Sequence, residues 1–598
     1  MRSMRTIFAI TGLLLISVIA VFAQVTNDYR SAGSGNWNAI ASWQKYNGAA
    51  WIAATVTPDS SVGKIEILAN HTITITANVV VDSVFVDSLA TLVVSASDTV
   101  TVGPPVTRSM LTGITVAGGG SMIVNGVYKH ARDYGSLPKA TWATGSTCLI
   151  SLGSVLMDTV PKNLDQSYYN FEWNCPTQTG NLNMNMTGVN DTIKGNFTVR
   201  ATGASGRIYL TSPGSAGSPQ IYTAPITIKG DMIQYNGQFG PHGTSNALQG
   251  GLTNYQINVL GNLTVNGSGT STSWWSMQRG SVGPVYWYVY GNVTFSSCSL
   301  TTSNNNAKIV FAKSGTQTLT LSNATIGSSS AFSYEVANGS TLDIGTNILS
   351  GTGVLVVDSG GSLKATYGTS NGSVTCTGTN STLYNNYAIA TGTAGSGTVT
   401  ITASTPANSH LSDTTTALRR YWTVTADAGI TSAGLQFSYD PADIPGTATE
   451  TNFVPMWYTG TGTVWAPKGL VTNATTHVAA TNAGININGV WTVGEIQTLI
   501  GVKSQTTSTI PKSFFVNQNY PNPFNPSTII TYGIPKASYV TVTVYNLLGQ
   551  QVATLFSGHQ EAGTYPVTFK ADHLSSGVYL CRIEAGQSVD VKRMILMK

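Results

Sequence analysis

The side chains of this sequence that could carry chemistry are few and far apart. Acid–base work on a glycosidic bond needs two Asp or Glu within reach of one bond. Between Met232 and Ala307 the only Asp, Glu, Lys or Arg is Arg279, and the only histidine is His242. That stretch alone cannot assemble a carboxylate pair. His242, in Gly240-Pro241-His242-Gly243, is the best lone titratable candidate. A loop histidine with no nearby partner more often serves structure. Asp440, Asp443 and Glu450 form the one acidic cluster, flanking Pro441 and Pro445. Calcium would need several such oxygens converging, and Asp fixing backbone bends is the favoured reading. Gly368-Thr369-Ser370-Asn371-Gly372 spells a nucleophile elbow, but that chemistry requires a helix to follow, and no helical pattern does. No phosphate loop and no His-Glu-x-x-His occurs. The sequence therefore assigns no catalytic residue, no cofactor site and no metal site.

Binding is better represented than catalysis. Trp274-Trp275 and Tyr286-Trp287-Tyr288 offer apolar ring faces to glycans. Packing inside a core or between coils is the favoured reading. Neighbours on a strand point to opposite faces, so one of Trp274 and Trp275 is expected at the surface. The five cysteines, Cys148, Cys175, Cys298, Cys376 and Cys581, contain no C-x-x-C, which argues against zinc or redox work. An oxidising compartment permits one disulfide, with Cys148–Cys175 the candidate pair. Buried free thiols are favoured over it.

The elements that must position these residues read as β throughout. Charged residues make up 9% of the 598 and the net charge is +4. With no basic patch interleaved with aromatics, nucleic acid is not an expected partner. Residues 1–23 read as a signal peptide: Arg2 and Arg5, an apolar run from Ile7 to Phe22, and a cleavage site between Ala23 and Gln24. An uncleaved anchor is the alternative, but the run is short for a span. The Sec translocon is then the first partner, and no transmembrane segment is expected after processing.

Residues 24–102 hold Trp37, Trp43 and Trp51, followed by short apolar runs such as Thr72-Ile73-Thr74-Ile75. The pattern resembles the capped start of a β-solenoid in secreted bacterial surface proteins. The tryptophans could form a sugar platform, but covering the solenoid end is favoured. Residues 103–400 carry a weak repeat. An apolar–Gly–Asn/Asp–apolar corner recurs at Gly195, Gly230, Gly261 and Gly291, with steps of 35, 31 and 30. Periods of this length mark stacked units, and glycine with Asn or Asp suits a tight bend. A right-handed parallel β-helix-like solenoid is expected, against a string of separate sandwiches. Residues 401–498 read as a β-sandwich module, and 499–513 as a Ser/Thr-rich linker.

Residues 514–598 close the chain. Ile530, Tyr532 and Ile534 alternate with Thr531 and Gly533, and Val540, Val542 and Val544 repeat the pattern, as strands of a small sandwich do. Pro521, Pro523 and Pro526 lack an N–H, so their segment is an extended strap and not a central strand. With Asn519-Tyr520-Pro521-Asn522-Pro523-Phe524-Asn525-Pro526, Gly549-Gln550, Ser576-Gly577-Val578-Tyr579 and a basic tail including Lys592 and Lys598, this segment resembles the type A C-terminal sorting domain of the type IX secretion system. Cys581 departs from the pattern, where an aromatic or branched residue is usual. The resemblance implies an Ig-like sandwich, recognition by outer-membrane export machinery, removal of the domain, and attachment of the cargo to lipopolysaccharide or its release.

The reading that results is an all-β protein, secreted or on the cell surface by way of the periplasm. Its function is read as non-enzymatic adhesion to glycan or matrix. A polysaccharide lyase or hydrolase on the same scaffold, or an architectural surface-layer component, are the alternatives.

Overall fold

In the computed structural model the chain forms two compact units, residues 1–502 and 503–598. Residues 24–103, 113–133, 135–152, 161–184, 192–204, 206–211, 225–242, 255–267, 274–276, 284–302, 307–326, 332–368, 370–376, 384–405, 415–458, 460, 465–469, 472–495, 511 and 513–597 are described. The all-β class holds: the described helical turns are three short 3-10 turns at Ile40–Ser42, Pro441–Asp443 and Glu450–Asn452.

The first unit is built from parallel ladders. Strand Val127–His130 pairs in parallel with Thr99–Val102 behind it and Thr147–Ser151 ahead of it. The same ladder continues through Asn170–Asn174, Phe197–Ala201, Met232–Gln234, Leu263–Asn266 and Val293–Ser296. A second ladder runs Ile226–Ile228, Tyr255–Val259, Val285–Val289, Lys308–Phe311, Ser333–Val336 and Leu355–Val357. A third runs Asn181–Asn183, Arg207–Thr211, Gln238–His242, Trp274–Ser276 and Ser299–Thr301. Each strand pairs with its equivalent one coil away. Alternate residues point inward, which is why two-residue periodicity in sequence becomes one continuous core from Tyr29 to Val493.

The glycine corners explain the repeat. The Gly230 N–H donates to the Gly195 carbonyl at 2.8 Å, and Gly261 to Gly230 at 3.0 Å. Beside this column runs a side-chain ladder. Asn170 Oδ1 accepts from the Asn196 N–H (2.9 Å), Asn196 Oδ1 from Asp231 (2.8 Å), Asp231 Oδ1 from Asn262 (2.7 Å), Asn262 Oδ1 from Asn292 (2.8 Å) and Asn292 Oδ1 from Thr318 (3.0 Å). Each rung satisfies a backbone donor that the turn would otherwise leave unpaired.

At the start of the stack Trp37 and Trp43 are buried, their rings 4.9 Å apart edge to face. Trp51 is half-buried with Arg30 over its ring at 4.5 Å. Tyr29–Ser31 bridges two patterns, antiparallel to Trp43–Tyr46 and parallel to Ile65–Ile67. At the far end the boundary read at 400/401 falls inside the strand Gly397–Ser404. That strand pairs antiparallel with Ser362–Tyr367 and with Tyr421–Ala426. The antiparallel strands up to Gly489–Glu495 thus extend the sheet of the coils. Most of the 499–513 linker lies outside the described residues, as do signal-peptide residues 1–23 with Ala23; Gln24 is exposed.

The second unit has two antiparallel sheets. Phe515–Val516, Ser527–Ile534 and Gly563–Lys570 form one; Gln551–Gln560, Ser538–Asn546, Gly577–Ala585 and Ser588–Leu596 form the other. Ile530, Ile534, Val540, Val542, Val544 and Cys581 are fully buried between them.

Candidate functional sites

Trp275 is fully buried inside the stack, its ring 5.0 Å from Trp287 and 5.4 Å from Phe295. It belongs to an inner aromatic file that also includes Phe171 and Phe197, stacked at 5.6 Å. Fully buried in this file, it cannot stack on a glycan. The Trp274 side chain and Arg279 lie outside the described residues. The backbone of His242 ends the strand Gln238–His242, opposite Thr211; its side chain is likewise outside them.

The acidic cluster is dispersed among separate partners. Asp440 caps a turn by accepting from the Ala442 N–H at 2.8 Å. Asp443 pairs with Arg420 at 2.8 Å, and Arg420 also donates to the Val357 carbonyl at 3.1 Å. Glu450 accepts from the Tyr439 hydroxyl at 2.7 Å and contacts His477 Nδ1 at 2.8 Å. No shared cation site results from these contacts. Ser370 is followed by the strand Ser373–Cys376, so no nucleophile elbow forms there. All five cysteines are buried and free, so Cys148 and Cys175 are not joined. Burial pushes the Cys175 thiol up to about 12.

The second ladder turns a distinctive face outward. On Val285–Val289, Val285, Trp287 and Val289 point in, while Tyr286, Tyr288 and, just beyond, Tyr290 point out. Tyr290 is 39% exposed, enough to present a ring. In register beside them stand Gln256 and Asn258 on one side and Lys308 on the other. Gln256 Nε2 donates to Asn258 Oδ1 at 2.9 Å. The Lys308 ammonium lies 4.3 Å over the Tyr286 ring and is ion-paired with Glu335.

On the next strand Val356 opposes Glu335, and Asp358 follows two residues later on the same side. Burial, and then Glu335, push the Asp358 carboxyl above the usual range, with Lys308 and Arg420 opposing. Burial, and then Glu335, also raise the Tyr288 phenol. Two carboxylates thus meet on one face from residues 23 apart in sequence. Sequence reading missed Tyr290, Glu335 and Asp358; aligning the coils by strand alternation would have exposed them.

In the tail, the strap is stitched to both sheets. Asn519 is buried and donates to Thr528 Oγ1 at 2.9 Å and to the Pro521 carbonyl at 3.1 Å. Asn522 Oδ1 accepts from the Ile595 N–H at 2.8 Å, and buried Phe524 bonds Ile595 and Met597 through its backbone. Tyr520, Pro521, Pro523 and Asn525 are exposed and Pro526 half-buried. Gly549 takes φ +77°, closing a turn that Asn546 holds by accepting from Leu548 and Gln550. Gly577 opens the strand Gly577–Ala585, and Lys592 pairs with Asp590 at 3.0 Å. Lys598 lies outside the described residues. Cys581 fills an interior position opposite Val544, where its small apolar bulk packs without a ring.

Residues 518–597 match the family described as the secretion system C-terminal sorting domain. The chain therefore carries a type IX secretion sorting domain and is a secreted or cell-surface protein that engages that export machinery. The coil stack lies outside the match. No curated protein and no solved structure matches the chain. Among the described residues no helix is long and apolar enough to cross a membrane.

Proposed function

We propose that the coil stack is a non-enzymatic binder of glycan or matrix polymer, displayed on or released from the cell surface. The stack is read as a right-handed β-helix, the hand parallel crossovers nearly always take. A Sec-dependent first step, and transfer to lipopolysaccharide once the tail is removed, belong to the same proposal. The observation that supports binding is the outward file of Tyr286, Tyr288 and Tyr290 beside the amides of Gln256 and Asn258. Tyrosine rings offer an apolar face and a polar tip, and the amides add donors and acceptors for sugar hydroxyls. The test is a glycan array probed with the mature chain and with Tyr288→Ala/Tyr290→Ala. The account expects at least about tenfold weaker binding, with melting little changed because both rings point outward. Unchanged binding would remove this face from the account.

A second reading, a carbohydrate-active enzyme, draws support from Glu335 and Asp358. A carboxyl whose pKa burial raises, on the same face as a second carboxyl, is an arrangement that acid–base catalysis uses. That reading requires product release from a polysaccharide the array shows bound, abolished by Asp358→Asn. Absence of release from every bound polymer would end it.

A further inference from the structure

We propose that a cavity between Lys139 and Lys194 is a binding site for an acidic sugar unit, bearing either a carboxylate or a sulfate. The inference rests on the glycan-binding reading and places a chemically different site on the same stack. The cavity measures about 500 Å³, inside the usual range for ligand sites.

Its position follows from a break in the wall. One sheet runs through Gly35–Asn36, Thr72–Ile75, Thr91–Val94 and Ser121–Val124 and stops at Thr141–Trp142. The sheet that takes the same place in the later coils, just ahead of the long ladder's strand, starts at Thr192–Ile193, and the Lys194 N–H after it donates to the Tyr168 carbonyl at 2.9 Å. Residues 161–169 occupy the gap without forming a strand of either sheet, and a hollow is left where a regular coil would have closed.

The floor of the hollow is rigid. Gln166 is bonded through every part of its amide: Oε1 accepts from the Ala140 N–H (3.2 Å) and from Trp142 Nε1 (3.3 Å), while Nε2 donates to the Pro138 and Asn163 carbonyls at 3.1 and 2.8 Å. Asn163 donates in turn to the Leu137 carbonyl at 3.1 Å. A site held this way pays little ordering entropy on binding.

Its charge is what selects the ligand. Lys139, Asp165 and Lys194 all line the cavity, and none of them joins an ion pair among the described residues. In a chain with only 9% charged residues, these three exposed charges stand around one hollow. Two ammonium groups from different coils outweigh one carboxylate, so an anion is favoured. Asp165 is left to accept from sugar hydroxyls. Trp142 is only 5% exposed, so ring stacking plays no part here. Recognition is by charge-assisted hydrogen bonds, unlike the tyrosine face.

The experiment is titration calorimetry on the mature full chain with matched oligosaccharides that are neutral, uronate-bearing or sulfated. The proposal expects an acidic ligand to bind at least about tenfold tighter than the neutral one, and Lys139→Ala/Lys194→Ala to erase that preference. Added salt should weaken the acidic ligands alone. Tighter uronate assigns a carboxylate sugar and tighter sulfate a sulfated one. Equal affinity for all three, or a preference that survives the double lysine variant, overturns the site. Neutral binding that persists and is lost only in Tyr288→Ala/Tyr290→Ala would leave the tyrosine reading standing while the cavity falls. No binding of any sugar overturns both.

Discussion

Replacing Gly261 by alanine tests the stacking geometry at one of the close contacts of the glycine column. A Cβ built there lies 2.6 Å from both the carbonyl carbon and oxygen of Gly230 and closer still to the Asp231 carboxylate, where real Cβ atoms stay beyond 3.0 Å. The neighbours are backbone, so no rotamer change relieves the contact. The coils must separate, which stretches the Gly261–Gly230 hydrogen bond of 3.0 Å and the Asn262–Asp231 rung of 2.7 Å. Overpacking of this kind costs about 1–3 kcal/mol, and weakening two hydrogen bonds adds about 1 kcal/mol. Reduced freedom of the unfolded chain returns about 0.4–1 kcal/mol. The net expectation is about 2 kcal/mol of destabilisation. Gly118 is the control: a Cβ there meets nothing within 4 Å and its φ is ordinary, so Gly118→Ala should be neutral or slightly stabilising. The assay is urea denaturation followed by tryptophan fluorescence, with the tail's transition recorded separately. Equal midpoints for the two variants would refute the claim that the coils touch at a glycine column.

Three further outcomes follow. Arg132 is buried and held by Asp82 at 2.7 Å, so Asp82→Ala strands a buried charge and should cost about 3–5 kcal/mol in the same denaturation assay. Asp358 has its folded pKa raised, so its protonated form is the one the fold favours. Its contribution is full below the unfolded carboxylate range and is lost as pH rises through the folded pKa. Asp358→Asn should therefore raise the melting temperature at neutral pH, with the gain vanishing in acid; a gain independent of pH would contradict the assignment. The five buried thiols should resist alkylation in the native protein and all react after denaturation, as counted by mass spectrometry.

The sequence made the strands legible where their alternation was strict. Ile73 and Ile75, and Val540, Val542 and Val544, are inward as read. The glycine corners at 195, 230, 261 and 291 gave the coil step because close backbone contact tolerates no side chain. Legibility failed where a three-dimensional neighbour decides. Alternation put one of Trp274 and Trp275 at the surface without saying which, and only the packing of the neighbouring coils places Trp275 beside Trp287 and Phe295. Glu335 and Asp358 come together through strand register, which loop lengths of varying size conceal. The hollow at Gln166 arises from a strand that does not form, an event with no motif of its own. The strand Gly397–Ser404 crosses the 400/401 boundary because its antiparallel pairing continues the sheet of the last coils, which no local pattern announces.

The central claim is that the tail is an address and the charge-poor stack its cargo. Fusing residues 503–598 to a secreted reporter, in a host with type IX machinery, tests it most directly. The account predicts the reporter outside the cell or on its surface, and periplasmic retention when Asn519→Ala/Phe524→Ala unpicks the strap. A reporter that stays in the periplasm with the intact tail would contradict it.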